Sequence, residues 1–84
     1  MTRVRLLGSL RERLGSAIFE VEARRLSEVL RALRGAVPDL ASSEGRPSGL
    51  YVILIDGVDY RVYGEDPELK PDSEVTLIPV SHGG

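Results

Sequence analysis

Two glycines, Gly83 and Gly84, stand shortly after an apolar, strand-forming run, Val75-Thr76-Leu77-Ile78-Pro79-Val80, with Ser81 and His82 between. A terminal glycine carboxylate is the least hindered carboxyl a protein can offer. No Cβ stands beside it, and both backbone dihedrals are permissive. The chemistry such an end can do is acyl transfer, once the carboxylate has been activated. Two terminal glycines arise by chance in about one chain in 200, and most chain ends are simply frayed. The pair therefore carries weight only where the rest of the chain agrees with it.

Other candidates for chemistry are poor. His82 is the single histidine, and without a fixed partner it makes a weak general base. Glu65, Asp66, Glu68, Asp72 and Glu74 fall in a turn-rich stretch, where solvated surface is the stronger reading than a metal or acid–base cluster. There is no cysteine, hence no disulfide, thiol nucleophile or thiolate metal site. No nucleophile has an adjacent base. Neither G-x-x-x-x-G-K-[ST] nor G-x-G-x-x-G occurs, so nothing cradles a nucleotide's phosphates. The reading is of a chain with no catalytic group and no metal or cofactor of its own.

At 84 residues the chain makes one small domain, with 42% hydrophobic and 29% charged residues. Its net charge of −2 argues against nucleic acid as a direct partner, since phosphate binding needs a positive footprint. The charge is unevenly spread: residues 1–55 carry nine basic and six acidic groups, residues 56–84 two and seven. No apolar run is long enough to span a bilayer, and no signal-peptide core is present, so a cytoplasmic location is expected. Of eleven basic residues only Lys70 is a lysine, which restricts any self-conjugation to simple Lys70-linked chains.

Several elements must position the tail. Val4-Arg5-Leu6-Leu7 reads as a first strand with Val4 and Leu6 inward and Arg5 and Leu7 outward. Ser9 to Gly15 reads as a helical turn closed by glycine. Ala17 to Ala23 reads as a strand of undecided facing. Leu26, Val29, Leu30, Leu33 and Val37 form one apolar helical stripe, with Ser27 as N-cap and Gly35 and Pro38 as stop. Residues 39–49 read as a mobile polar loop. Leu50 to Ile55 reads as a central strand buried on both faces, followed by an Asp56-Gly57 turn and a short edge strand over Tyr60 to Tyr63. Leu69 anchors the link to the last strand. There Val75 and Leu77 face in, while Thr76, Ile78 and Val80 face out, and Pro79 breaks pairing on at least one side. The economical solution is an α+β domain over residues 1–80, about five strands of mixed sheet packed on one main helix. Residues 81–84 form a protruding tail.

These segments, in this order, resemble the ubiquitin-like sulfur carriers and modifiers. Val4 to Gly15 resembles their first strand and "LRE-x-LG" turn, and Ile55 to Tyr60 their "V-N-G" turn. Leu69 to Val75 resembles their "L-x-D-G-D-E-V" link, with Ser73 in place of its glycine, at a small cost in turn comfort. The ending resembles their terminal Gly-Gly. Relatives include the ubiquitin-related modifier, archaeal small modifier proteins, the thiamine sulfur carrier and the small subunit of molybdopterin synthase. Ser81-His82 between Pro79-Val80 and the glycines departs from the molybdopterin type and is closer to the ubiquitin-related modifier.

The resemblance implies a β-grasp with the last strand beside the first. It also implies an E1-like adenylating enzyme as partner, which uses ATP to activate Gly84 while Gly83 lets the tail thread a narrow channel. The product is a thiocarboxylate or an isopeptide on a target-protein lysine. Leu7 and Ile78, with Val80, fall where relatives meet the activating enzyme, and either Ile53 or Ile55 is expected to join them. Two alternatives stay open: a subunit whose tail enters the large subunit of molybdopterin synthase, and a β-grasp interaction domain with an incidental diglycine.

Overall fold

The computed structural model describes residues 1–15 and 17–80. Alternation in the first residues gives β1 (Thr2–Leu6), in which Thr2, Val4 and Leu6 are buried and Arg3 and Arg5 exposed. The helix α1 (Ser9–Leu14) follows, buries Leu10 and ends at Gly15, whose left-handed backbone lets its N–H reach the Arg11 carbonyl. Strand β2 (Ile18–Val21) points Phe19 and Val21 towards the core and leaves Ile18 on the other face, which settles the facing the sequence left undecided.

The apolar stripe forms α2 (Leu26–Leu33) and the turn after it, and Leu26, Val29, Leu30, Leu33 and Val37 are all buried. Strands β3 (Tyr51–Ile55) and β4 (Val58–Asp59) join through Asp56-Gly57, both at positive φ, as a two-residue hairpin turn demands. Strand β5 (Glu74–Pro79) closes the sheet. The strand order is β2-β1-β5-β3-β4, with β1 and β5 parallel and the other neighbours antiparallel. One core cluster joins the inner face of β1, β3 and β5 to the stripe of α2, which is the expected two-layer α+β arrangement.

Pairing of β5 with β1 stops at Leu6–Leu77, whereas pairing with β3 continues to Tyr51–Pro79, so Pro79 ends the ladder on one side only. Beyond it the Val80 N–H still donates to the Leu50 carbonyl, at 3.0 Å.

Several expectations need correction. The middle strand of the five is β5, beside β1 as the β-grasp resemblance implied. Strand β3 lies inside the sheet between β5 and the two-residue β4, but it is not buried on both faces, since Val52 is exposed. Tyr60–Val62 is a 3-10 turn, not an edge strand. The Asp59 carboxylate accepts from the Arg61 N–H at 2.9 Å and grips its guanidinium, which curls the chain out of the ladder.

Ser27 does not cap α2. Arg25, extended at φ −133°, holds that position, and Ser27 lies in the first turn. Two carboxylates serve the helix start instead. Glu28 accepts from the Arg24 and Arg25 N–H groups, and Asp66 accepts from the Ser27 N–H and Oγ, each at 2.9 Å. The 39–49 loop is tied down rather than loose. Leu40 and Ala41 are buried, Ser42 N–H donates to the Arg46 carbonyl and Ser48 N–H to that of Leu40. Ser73 carries no turn penalty, because its Oγ accepts from the Lys70 N–H at 2.9 Å and closes the turn.

Candidate functional site

Residues paired across a sheet share a face, so the registers lay out the surface opposite α2 row by row. At the start of β5 the row is charged: Glu20, Arg3 and Glu74 stand side by side. Glu74 receives Arg3 at 3.8 Å and Arg5 at 3.5 Å. The next row, Ile18, Arg5, Thr76 and Leu54, is mixed. Thr76 faces outward as expected yet is only 8% exposed, because a central strand has neighbours on both flanks.

Towards the end of β5 the face turns apolar. Ile78 pairs with Val52. Leu7, one residue beyond β1, lies outward by alternation from buried Leu6, and its N–H donates to the Leu77 carbonyl at 3.1 Å. Val80 and Leu50 make the last row. Leu7, Val52, Val80 and Leu50 are 38–42% exposed, and Ile78 in their midst is half-buried. These five residues form the apolar end of a face that is mixed at its middle and charged at its far end, and β5 leaves the sheet through it.

Leu7, Ile78 and Val80, singled out from sequence, do lie at this end. Neither Ile53 nor Ile55 joins them, since both face the core and are nearly inaccessible. Alternation gives the outward positions to Val52 and Leu54 instead. Val52 and Leu50 escaped the sequence reading because their run is apolar at every position. A parity set by the inward Ile53 would have found them. Ser81, His82, Gly83 and Gly84 lie outside the described residues.

Gly8 turns the chain from β1 into α1 at φ +60°, and its position lies close against the Pro79 ring. On the core side of the same end, the Tyr51 hydroxyl donates to Asp39 Oδ1 at 2.6 Å. Burial, and then the adjacent carboxylate, push the Tyr51 phenol up. The carboxylates of the 65–74 stretch are engaged by hydroxyl, amide and guanidinium partners: Asp66 accepts from Ser27 and, with Glu68, pairs with Arg25, while Glu74 receives Arg3 and Arg5. Among the described residues no group of His, Cys, Asp and Glu could hold a metal ion, and no helix is long and apolar enough to cross a membrane.

No protein-family model and no curated protein matches the chain. Solved structures do. The small archaeal modifier protein 1 (SAMP1) of Methanosarcina acetivorans is 26% identical, with a TM-score of 0.79 over 99% of this chain and 95% of that one. Urm1 of Sulfolobus solfataricus is 24% identical, with a TM-score of 0.79 over 93% and 99%. The BexX/CysO complex of Amycolatopsis orientalis contains a chain 18% identical, with a TM-score of 0.79 over the full length of both. The fold is thus the ubiquitin-like β-grasp of small modifiers and sulfur carriers. Within that class the chain is similar to SAMP1, Urm1 and CysO.

Proposed function

We propose that this chain is a ubiquitin-like carrier or modifier whose Gly84 carboxylate is activated by an adenylating partner enzyme. The observation that carries the reading is the apolar end of the outer sheet face, which lies where β5 leads out towards Gly83 and Gly84. An exposed apolar patch suits docking of another protein. That CysO, a neighbour of the same fold, forms a complex with BexX supports a protein partner.

The chemistry follows from the carboxylate. Its carbonyl is a poor electrophile, and attack on the α-phosphorus of ATP converts it to an acyl-adenylate with release of pyrophosphate. The partner binds the ATP, and this chain is the protein substrate rather than the catalyst. Leu7, Ile78 and Val80, joined by Val52, seat the partner. In sequence, Ser81 and His82 stand between that surface and the two glycines. The missing Cβ atoms of Gly83 and Gly84 let the end pass a narrow channel and leave the carbonyl open. Displacement of AMP by a sulfur donor gives a thiocarboxylate, and displacement by a lysine amine gives an isopeptide.

ATP–pyrophosphate exchange by the activating enzyme tests the reading. Deletion of Gly84, or Gly84→Trp, is expected to abolish chain-dependent exchange with an unchanged melting temperature. Exchange at the wild-type rate with either variant would overturn it.

A further inference from the structure

We infer that the groove beside the 3-10 turn is a second docking surface, and that it takes a basic segment of a partner protein carrying an apolar side chain. The inference goes beyond the activation of Gly84 and does not depend on it.

The turn exposes what a small domain normally buries. Val62 is 72% exposed and its neighbour Tyr63 52%, and no large apolar side chain among the described residues is more open than Val62. The turn itself is fixed. Asp59 holds both the N–H and the guanidinium of Arg61, the Tyr63 N–H donates to the Tyr60 carbonyl at 2.9 Å, and Tyr60 packs against the core. An apolar pair on a fixed turn meets a partner without ordering cost to the main chain.

This turn forms one wall of a groove of about 810 Å³. Arg61 and Gly64 line the groove, so Val62 and Tyr63, which lie between them in the chain, stand at its rim. The 44–47 segment forms the facing wall, with Ser27 of α2 between the two. That wall is fixed as well. The Ser42 N–H reaches the Arg46 carbonyl, and Gly45 sits so close to the Ser27 carbonyl that a Cβ there would collide with it. The groove is therefore preformed.

Charge selects the occupant. Residues 56–74 carry seven acidic groups against Arg61 and Lys70. Arg61 is taken up by Asp59, while Arg25 engages Asp66 and Glu68, and Arg3 and Arg5 engage Glu74. Among the described residues Asp56, Glu65 and Asp72 have no ion pair, nor has Glu44 on the facing wall. Of the groove's own cations only Arg46 is left unpaired against Glu44 and Glu65. A lysine- or arginine-bearing segment gains complementary charge here, and an apolar side chain within it covers Val62 and Tyr63.

The position leaves the tail free. Strand β4, which leads into the turn, pairs with Leu54 and Ile55, and these lie opposite Thr76 and Val75 at the start of β5. The apolar patch lies at the other end of β5, roughly 15 Å further along the strand. A protein held at the groove does not cover Leu7, Val52 or Ile78.

The test titrates the nitrogen-15 labelled full chain with a synthetic peptide of leucine flanked by lysines. Two counterparts carry glutamate for lysine or serine for leucine. The first peptide is expected to give saturable amide shifts confined to residues 44–47 and 60–66, weakened by salt, and both counterparts to bind at least about fivefold more weakly. Val62→Ser and Glu65→Lys are each expected to weaken the first peptide at least about threefold. The melting temperature should stay within a few degrees, since both side chains are exposed. Absence of saturable shifts would overturn the inference, as would shifts centred on Leu7, Val52 and Ile78, or equal binding of the glutamate peptide. Self-association of the chain that Val62→Ser abolishes would also overturn it, by making a second copy the occupant.

Discussion

Gly45 sits at φ +84° where the 39–49 loop turns against the start of α2, and a Cβ there would collide with the Ser27 carbonyl. Gly15 has the same left-handed backbone but open space around it. The pair separates two costs that sequence alone merges. Gly15→Ala is expected to lose about 1 kcal/mol, the backbone term. Gly45→Ala adds a steric clash with main chain and should lose about 2–3 kcal/mol in chemical denaturation. Asp59 illustrates a charge set by its own turn. The Arg61 guanidinium, and then the Arg61 N–H, hold its carboxyl down to about 2. A depressed carboxylate stabilises the fold above the unfolded value near 4, and that contribution fades as pH falls towards 2. Carbon-13 titration of Asp59 should give a midpoint near 2, moving up towards the ordinary carboxylate range in Arg61→Gln. The change in stability should be small, because solvent screens the pair.

The start of α2 is built by two segments far apart in sequence. Asp66 bridges the Ser27 N–H and hydroxyl, Arg25 donates to the Asp66 carbonyl at 2.9 Å, and the Leu26 N–H reaches the Pro67 carbonyl at 3.1 Å. Glu28 turns back onto the Arg24 and Arg25 N–H groups, and these bonds hold its carboxyl below the usual range. Asp66→Ala removes one of these two acidic partners of the helix start. It should cost about 1 kcal/mol, the usual worth of an N-cap, and the Ser27 amide should exchange hydrogen faster than amides of the core strands. The sequence signal for a cap, a serine at the head of an apolar stripe, pointed to Ser27. The structure uses that serine as a donor to a carboxylate 39 residues away. Likewise Tyr60 to Tyr63 has strand-forming residues, but Asp59 and Arg61 supply a local closure that strand pairing does not outbid.

Leu77 and Ile78 are neighbours on the central strand with opposite duties. Leu77 is fully buried in the single core, and Ile78 lies on the apolar end of the outer face. Leu77→Ala is expected to cost about 2–5 kcal/mol, a large share of the stability of a domain this small. The melting temperature should fall by more than 10 °C. Ile78→Asp is expected to leave the melting temperature within a few degrees. It should also raise the chain concentration needed for half-maximal ATP–pyrophosphate exchange at least tenfold, about 1.4 kcal/mol. Equal losses of stability in the two variants would show that Ile78 serves packing, not docking.

What the sequence determined by itself is whatever repeats locally: the 3.6-residue stripe of α2, the inward parity of Val4, Leu6, Val75 and Leu77, and the Asp56-Gly57 turn. Each of these is fixed by a residue's own neighbours and its own dihedrals. Only the tertiary structure decided which strand is central, that Val52 rather than Ile53 or Ile55 lines the outer face, and that Asp66 serves the start of α2. Those facts depend on pairs far apart in the chain. In Leu50 to Ile55 every position is apolar, so no local pattern could choose a face until β5 paired with it in one register.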